Sequence, residues 1–168
     1  TGKKVAIAAA QKFIPAYLEL GGKDPAIVLE GADLDRATTA ILRASIVATG
    51  QACQSLERLY VAQADHDEFI QLLTEKAMAA TLSKDNPNKG IVGPLIFSLQ
   101  AAVIQQHLDD ALQKGAIIYC GGKIEDDSGA KWIAPTVLGN VDHSMLIMTE
   151  ETFGPIMPVM AFCSPEQA

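Results

Sequence analysis

The sequence has few cysteines, few aromatic residues and no excess of positive charge. Its three cysteines, at positions 53, 120 and 163, are too far apart for a disulfide framework or a metal-binding cluster. Thirteen basic and 20 acidic residues give a net charge of −7, which argues against a surface for nucleic acid or anionic membrane. No apolar run approaches the roughly 18 residues of a membrane span, and no signal peptide is visible. These absences predict a protein of the reducing cytoplasm, without nucleic-acid or membrane partners.

The composition is that of a globular domain. With 168 residues, of which 49% are hydrophobic and 20% charged, the chain can form one domain with a sizeable core. β-Branched and aromatic runs predict strands at 25–30, 58–62, 116–120, 132–138 and 156–162. Helical spacing predicts helices from Asp33 to about Val47, after Asp65, and from Ser98 to Gly115, with a polar loop at 83–90. Strands that alternate with such helices imply an α/β fold with a largely parallel sheet.

Two of these helices have a defined apolar face, and two have an acidic start. Asp33 and Asp65 are expected to cap their helices, since short acidic side chains accept the free N–H groups of the first turn. The residues expected to be buried are Phe69, Leu72, Leu73, Ala77, Ile104, Leu108, Ala111 and Leu112.

Cys53 differs from the other two cysteines in its surroundings. It lies in the small, polar, turn-prone stretch ATGQACQS, directly before a predicted strand. Cys120 and Cys163 close apolar runs, where cysteine usually behaves as a buried hydrophobic residue. A loop thiol is either inert or a nucleophile, and a nucleophile needs a stabilised thiolate and a base. If Cys53 is the nucleophile, it should also be the most readily alkylated of the three.

Two acidic residues are candidates to act with this thiol. Glu19, in YLELGGK, precedes a Gly-Gly pair that lets other backbone approach closely, and Glu151 lies in TEETFGP. Taken alone, Glu19 is better explained as an exposed charge at a strand end, and Glu151 as a solvated turn residue. The histidines at 66, 107 and 143 lie among polar neighbours and are predicted to be at the surface.

Together these motifs resemble those of the aldehyde dehydrogenase superfamily. The matching segments are LELGGKDPAIVLEGADLD, GQAC followed by ER, and EETFGPIMPV, and they occur in the family's order and spacing. GPLI, GAIIYCGGK and APTVL resemble its intervening segments, so the similarity covers the whole chain. The resemblance implies a three-layer αβα catalytic domain, with residues 1–20 as the tail of the cofactor-binding domain and 21–168 as most of the catalytic domain.

The resemblance also implies roles for individual residues. Cys53 matches the family's nucleophile, and Glu19 matches its general base. The cofactor-binding residues that it implies are Glu151, Phe153, Gln100 and Leu20, and it implies no metal. The substrate would be an aldehyde and the cofactor NAD or NADP, in a longer protein that forms a homo-oligomer. The Glu-Arg pair after Cys53 resembles the branch that acts on small hydroxyaldehydes such as lactaldehyde.

The ends of the chain and one missing motif point to a segment of a longer protein. The sequence begins without methionine and ends in SPEQA, which has the parts of a helix start. Gly21-Gly22-Lys23 lacks the G-x-G-x-x-G context of a phosphate-binding turn. We therefore expect this chain alone neither to bind NAD nor to oxidise aldehydes. Two alternatives remain open: a cofactor-less binding or scaffold module, and an acylating relative that transfers the thioester to coenzyme A. Glu19 counts against the latter, because such enzymes often lack the general base.

Overall fold

The computed structural model describes residues 1–84, 86 and 89–168, so three positions of the predicted polar loop (85, 87 and 88) lie outside the described residues. The helices are α1 (Gly2–Ala10), α2 (Leu34–Ile46), α3 (His66–Ala79), α4 (Ser98–Gln113) and α5 (Leu146–Thr149). The strands are β1 (Asp24–Val28), β2 (Leu56–Ala62), β3 (Ile117–Cys120), β4 (Ile124–Asp127), β5 (Ala130–Ile133), β6 (Thr136–Gly139) and β7 (Ile156–Phe162). None of the helices in this described part is long and apolar enough to cross a membrane.

Five strands form a mainly parallel sheet in the order β1-β2-β7-β6-β3. The pairs β1–β2, β2–β7 and β6–β7 are parallel, and only β3 runs antiparallel to its neighbour β6. The α/β class and the largely parallel sheet are therefore confirmed. The predicted extended segment 132–138 is two strands, since β5 pairs with β4 in a separate hairpin. Pro135, which has no N–H to donate to a ladder, lies in the break between β5 and β6.

Successive residues of β2 belong to opposite cores. Leu59 and Val61 pack with α2 and α3, whereas Tyr60 and Ala62 pack with α4 and α5. Side chains alternate between the two faces of a strand, so the helices cover both faces of the sheet. The three-layer arrangement is confirmed, and it places the ends of the strands, with their loops, at the edges of the layers.

Two expectations about helices are wrong in detail. The Asp33 carboxylate does accept the Arg36 N–H at 3.0 Å, but Asp65 at the start of α3 accepts the N–H of Gly31 at 3.1 Å instead of capping its own helix. Leu112 is 47% exposed. It lies about 80° around the axis of α4 from Ile104, outside the buried face of the helix, whose last residue along the chain is Ala111.

Candidate active site

Cys53 lies exposed in the loop that joins α2 to β2. Three consecutive residues of this loop, Ala48, Thr49 and Gly50, have φ angles of 51°, 62° and 68°. For residues other than glycine this left-handed conformation costs about 1 kcal/mol or more, and it persists only where surrounding contacts impose it. Such strain concentrates at functional sites, so the backbone before Cys53 is itself a sign of function.

Two polar side chains hold the Cys53 loop against residues 93–96. The Thr49 hydroxyl accepts the Gly93 N–H at 2.8 Å and lies 3.3 Å from the Gly93 carbonyl. The Gln51 amide donates to the Pro94 carbonyl at 3.2 Å and accepts the Ile96 N–H at 2.7 Å. These bonds give the loop a fixed shape, although no sequence pattern pointed to residues 93–96 as its partner.

Gly50 lets the same loop touch the EETFGP segment directly. A Cβ atom on Gly50 would lie 2.3 Å from the Gly154 carbonyl oxygen and 2.8 Å from the Pro155 nitrogen. These are backbone atoms, which cannot move aside as a flexible side chain can. The close approach therefore requires glycine and brings the Cys53 and Glu151 motifs together.

Replacement of Gly50 by alanine is expected to destabilise the protein by about 3 kcal/mol or more, since it combines strain at positive φ with overpacking. Urea unfolding measures this change. Gly31→Ala is the matched control, because Gly31 also has positive φ (77°) but an added Cβ would meet nothing within 4 Å. Equal losses in the two variants would show that the contact with Gly154 is not tight.

The Gly-Gly pair after Glu19 connects the third motif to the other two. A Cβ on Gly22 would lie 3.0 Å from the Cys53 carbonyl oxygen, and one on Gly21 would lie 2.7 Å from a carboxylate oxygen of Glu151. The Gly22 N–H also donates to Glu151 Oε1 at 3.2 Å. Segments that lie 34 and 98 positions apart along the chain thus meet at one place.

The structure does not join the Glu19 side chain to the thiol. The exposed Glu19 carboxylate accepts the N–H of its neighbour Leu20 at 3.1 Å, and the Cys53 thiol donates to Oε1 of the Gln54 side chain at 3.2 Å. Within the described residues no hydrogen bond connects Glu19 with Cys53. Glu19 lies five residues before β1, so it does not stand at a strand end. Leu20 is 69% exposed, and its side chain lies against Gly2 of α1.

The predicted cofactor-side residues of the third motif lie around one short segment. Glu151 is exposed, and Phe153 is half-buried with a left-handed φ of 53°. The Gln100 amide, from α4, donates to the Thr152 carbonyl at 2.7 Å. The structure thus brings Glu151, Phe153 and Gln100 together and places Leu20 on the α1 side.

A buried polar cluster that the sequence did not reveal underlies this segment. The Glu57 carboxylate, only 3% exposed, accepts the backbone N–H groups of Thr152 and Phe153, each at 2.8 Å. The Lys23 ammonium donates to Glu57 at 2.7 Å and to the Thr152 hydroxyl at 3.0 Å. Burial lowers the pKa of Lys23, and the adjacent Glu57 opposes that effect. Glu57 directly precedes the predicted strand 58–62 and is followed by the charged Arg58, so its burial could not be recognised from the sequence.

His107 belongs to the same cluster, so its predicted surface position is wrong. It is 5% exposed, and its Nδ1 lies 3.1 Å from the Thr152 hydroxyl. Burial lowers the pKa of His107, and the nearby Lys23 charge lowers it further. A neutral ring can accept the Thr152 proton at Nδ1 while the Thr152 oxygen accepts from Lys23. Of the other histidines, His143 is exposed and hydrogen-bonds Tyr60, and His66 is half-buried beside Asp67.

The environments of the cysteines correct one expectation and sharpen the labelling experiment. Cys163 is exposed, because β7 ends at Phe162, whereas burial raises the pKa of the half-buried Cys120. With limiting iodoacetamide we expect labelling in the order Cys53, Cys163, Cys120, read by peptide mass mapping. Cys163 serves as an exposed reference, so faster labelling of Cys53 reports activation beyond exposure. Labelling of Cys163 ahead of Cys53 would contradict an activated thiol at position 53.

The donor set and the comparisons with known proteins define the kind of site. In the described part of the chain, no three His, Cys, Asp or Glu residues are grouped to hold a metal ion. The aldehyde dehydrogenase family profile matches residues 1–168. The chain belongs to the aldehyde dehydrogenase family. Its Cys53, Gly21-Gly22 and Glu151 motifs therefore meet within a domain of that family.

Individual members of the aldehyde dehydrogenase family resemble the chain along its whole length. Lactaldehyde dehydrogenase of Escherichia coli is 38% identical over 168 residues, covering 99% of this chain and 35% of that protein. 4,4'-Diapolycopene aldehyde oxidase of Methylomonas is 41% identical, covering 100% of this chain and 31% of that protein. The chain thus spans about a third of the length of these curated relatives.

Solved structures of the family share the fold. The structure of PutA from Anabaena variabilis, itself assigned as an aldehyde dehydrogenase by inference, superposes with a TM-score of 0.96 at 55% identity, covering 99% of this chain and 36% of that one. Betaine aldehyde dehydrogenase from Staphylococcus aureus, solved in complex with NAD+, superposes with a TM-score of 0.91 at 32% identity. The match covers 98% of this chain and 33% of that one. These catalytic-domain neighbours agree with the three-layer fold described above.

Proposed function

We propose that this chain is the nucleophile-bearing segment of an NAD(P)-dependent aldehyde dehydrogenase that converts an aldehyde to a carboxylic acid. Residues 21–168 form most of the catalytic domain, and 1–20 form the tail of the cofactor-binding domain. The observation that carries the proposal is the junction at Gly21-Gly22, which touches the Cys53 carbonyl on one side and the Glu151 carboxylate on the other. Family membership and the NAD+ complex of a relative support the same activity.

The residues around Glu151 fit the nicotinamide end of NAD or NADP. An exposed carboxylate suits the hydroxyl groups of a ribose, and the half-buried Phe153 offers a flat apolar surface beside it. Gly21 keeps the space next to the Glu151 carboxylate free of side-chain atoms. When bound there, the cofactor would supply the hydride acceptor of the reaction. Gln100 supports this segment through the Thr152 carbonyl, and Leu20 borders it from α1.

The chain's own residues carry the covalent chemistry. The Cys53 thiolate attacks the aldehyde carbonyl carbon, and the backbone N–H of Cys53 stabilises the oxyanion of the thiohemiacetal. Loss of hydride from that carbon leaves a thioester on Cys53. Glu19 removes a proton from a water molecule that attacks the thioester, so the carboxylic acid leaves and the thiolate is restored. Because Glu19 is exposed and, among the residues that the structure describes, is hydrogen-bonded only to the adjacent Leu20 N–H, the carboxylate moves toward Cys53 for this step.

Particular observations weigh against the two alternative functions. A binding or scaffold module has no need of a strained, tightly held loop before an exposed thiol. An acylating enzyme has no need of Glu19. Within the proposed function, a small hydroxyaldehyde is the favoured substrate, because Glu57-Arg58 follows Cys53 as in the lactaldehyde branch and lactaldehyde dehydrogenase is among the relatives. We further propose that the full-length protein is a cytoplasmic homo-oligomer with no nucleic-acid or membrane partner.

Aldehyde-dependent reduction of the cofactor by the full-length protein tests the activity. Lactaldehyde, a longer aliphatic aldehyde and succinate semialdehyde, each with NAD and with NADP, are the substrates, and absorbance of the reduced cofactor is the readout. We expect reduction that depends on aldehyde and is abolished by prior alkylation of Cys53. Full-length protein that reduces neither cofactor with any aldehyde would favour the scaffold alternative.

Cofactor binding by the 168-residue chain tests the proposed domain boundary. A ligand at 100 times its dissociation constant stabilises a fold by about 2.7 kcal/mol. Because the adenosine and pyrophosphate contacts are expected from the cofactor-binding domain, millimolar NAD should leave the melting temperature of this chain unchanged. A clear increase would show that the boundary at residue 20 is misplaced.

A further inference from the structure

Glu57 is a buried carboxylate whose hydrogen bonds are directed at the proposed cofactor segment. It lies in β2, four residues after Cys53, and its side chain is 4% exposed. Oε1 accepts the Phe153 N–H at 2.8 Å, and Oε2 accepts the Thr152 N–H at 2.8 Å and the Lys23 ammonium at 2.7 Å. The two oxygens of the carboxylate therefore accept one backbone N–H each, from Phe153 and from Thr152.

We propose that Glu57 is a positioning residue. It fixes the Phe153 ring where the ring can contact the nicotinamide end of the cofactor, in a defined position relative to Cys53. The inference rests on the proposed function. Glu57, four residues after Cys53, would thus have a task that neither Cys53 nor Phe153 performs by itself.

The conformation of Phe153 explains why such an anchor is needed. Its φ of 53° is unfavourable for an aromatic residue and requires contacts that impose it. Two adjacent N–H groups bound by one carboxylate fix the orientation of successive peptide units, and bonds to an ionised acceptor are about twice as strong as neutral ones. The Glu57 carboxylate therefore selects the backbone conformation that directs the Phe153 ring.

A purely structural role does not account for a charged pair at this place. A buried ion pair is often no more stabilising than apolar residues of similar volume, whereas removal of one partner alone is costly. Lys23 is held at both ends, since its ammonium contacts Glu57 and its carbonyl accepts two bonds from the Arg58 guanidinium, one of them at 2.9 Å. Lys23 follows Glu19 by four positions, so the cluster also ties the base motif to the same frame.

The direct test is Glu57→Gln in the full-length enzyme, with Glu75→Gln as the matched control. Glu75 is exposed on α3, and the structure gives its carboxylate a bond to Gln71. An amide can accept only one of the two N–H groups and presents a donor to the other. We expect KM for the nicotinamide cofactor to rise roughly 10- to 100-fold in Glu57→Gln, while KM for the aldehyde changes less than threefold. Glu75→Gln should change neither constant.

Two further variants separate positioning from stability. Glu57→Asp keeps the charge beside Lys23 but shortens the reach to the N–H groups, so it should also raise KM for the cofactor. Glu57→Gln combined with Lys23→Met removes the unpaired buried ammonium, so it should recover melting temperature but keep the raised KM. This double variant also covers the case in which Glu57→Gln alone does not fold.

The outcomes distinguish the inference from the proposed function. Wild-type enzyme without aldehyde-dependent reduction of NAD or NADP would defeat the proposed function. If the wild type is active, two results would overturn the role of Glu57 while leaving the proposed function intact. They are an unchanged cofactor KM in Glu57→Asp, and full recovery of the cofactor KM in the double variant. A rise in KM for cofactor and aldehyde by the same factor in all three variants would also overturn it.

Discussion

Replacement of Cys53 by serine is expected to reduce aldehyde-dependent formation of NADH or NADPH in the full-length enzyme by about 10⁴-fold or more. Loss of a covalent nucleophile in other enzymes has effects of this order or larger. A serine hydroxyl is nearly the same size as the thiol but remains protonated at neutral pH, so thiohemiacetal formation should be almost abolished. Because Cys53 is exposed, the substitution leaves the core unchanged.

The second exposed cysteine provides the control for this variant. Cys163→Ser should retain the activity of the wild type, since Cys163 follows β7 on the surface and its N–H is bonded to the Gln167 side chain. Turnover and melting temperature are measured for both variants. Substantial turnover in Cys53→Ser, at the melting temperature of the wild type, would exclude Cys53 as the nucleophile.

The Glu19→Gln substitution is expected to lower steady-state turnover by about 10²–10⁴-fold, the usual contribution of a general base. If Glu19 activates the deacylating water, hydride transfer continues and the thioester accumulates. Rapid mixing should then show a burst of reduced cofactor, close to one per active site, before the slow phase. A folding defect is not expected, because the Glu19 side chain is exposed and its one hydrogen bond in the described part of the chain is to the neighbouring Leu20 N–H.

The burst separates two possible tasks of Glu19. If this carboxylate instead deprotonates Cys53, the burst should slow in step with turnover. Glu30→Gln, another exposed glutamate, serves as the control and should show neither change. Normal turnover and normal burst kinetics in Glu19→Gln would remove Glu19 from the mechanism.

Local pattern predicted α2, α3, α4 and the five strands of the main sheet, but not α1, α5 or β4. β-Branched runs and helical spacing indicated the predicted elements, and Asp33 caps α2 as a residue of its type should. Asp65 shows where local preference fails, since a tertiary donor, the Gly31 N–H, competes for its carboxylate. The face on which a residue lies can be deduced from spacing along the sequence, but a hydrogen-bond partner 34 positions away cannot.

His107 and Glu57 show two different reasons why the buried cluster escaped prediction. His107 is three residues from Ile104 and four from Ala111, so its helical position already indicated the buried face; the polar neighbours Gln106 and Asp109 on other faces were misleading. Glu57 carried no comparable signal. Its burial depends on Lys23 and on two N–H groups near position 152, which only the folded chain brings together.

The three motif loops can be recognised from their sequence motifs, but the contacts between them cannot. Their meeting depends on glycines, since Gly50 and Gly22 are where other backbone comes closest. A glycine in a turn-prone stretch has several explanations, and spacing alone does not say which backbone approaches it. The junction of the Cys53 loop with the Gly154 carbonyl is therefore a result of the tertiary structure.

Trapping the acyl intermediate tests the central claim most directly. Full-length Glu19→Gln enzyme is mixed with aldehyde and oxidised cofactor, quenched in acid after the burst, digested and analysed by peptide mass spectrometry. We predict that the peptide containing Cys53 carries the mass of the acyl group, at an occupancy matching the burst, and that the Cys120 and Cys163 peptides do not. A full burst of reduced cofactor with an unmodified Cys53, or with the acyl group on another cysteine, would contradict the assignment of Cys53 as the nucleophile.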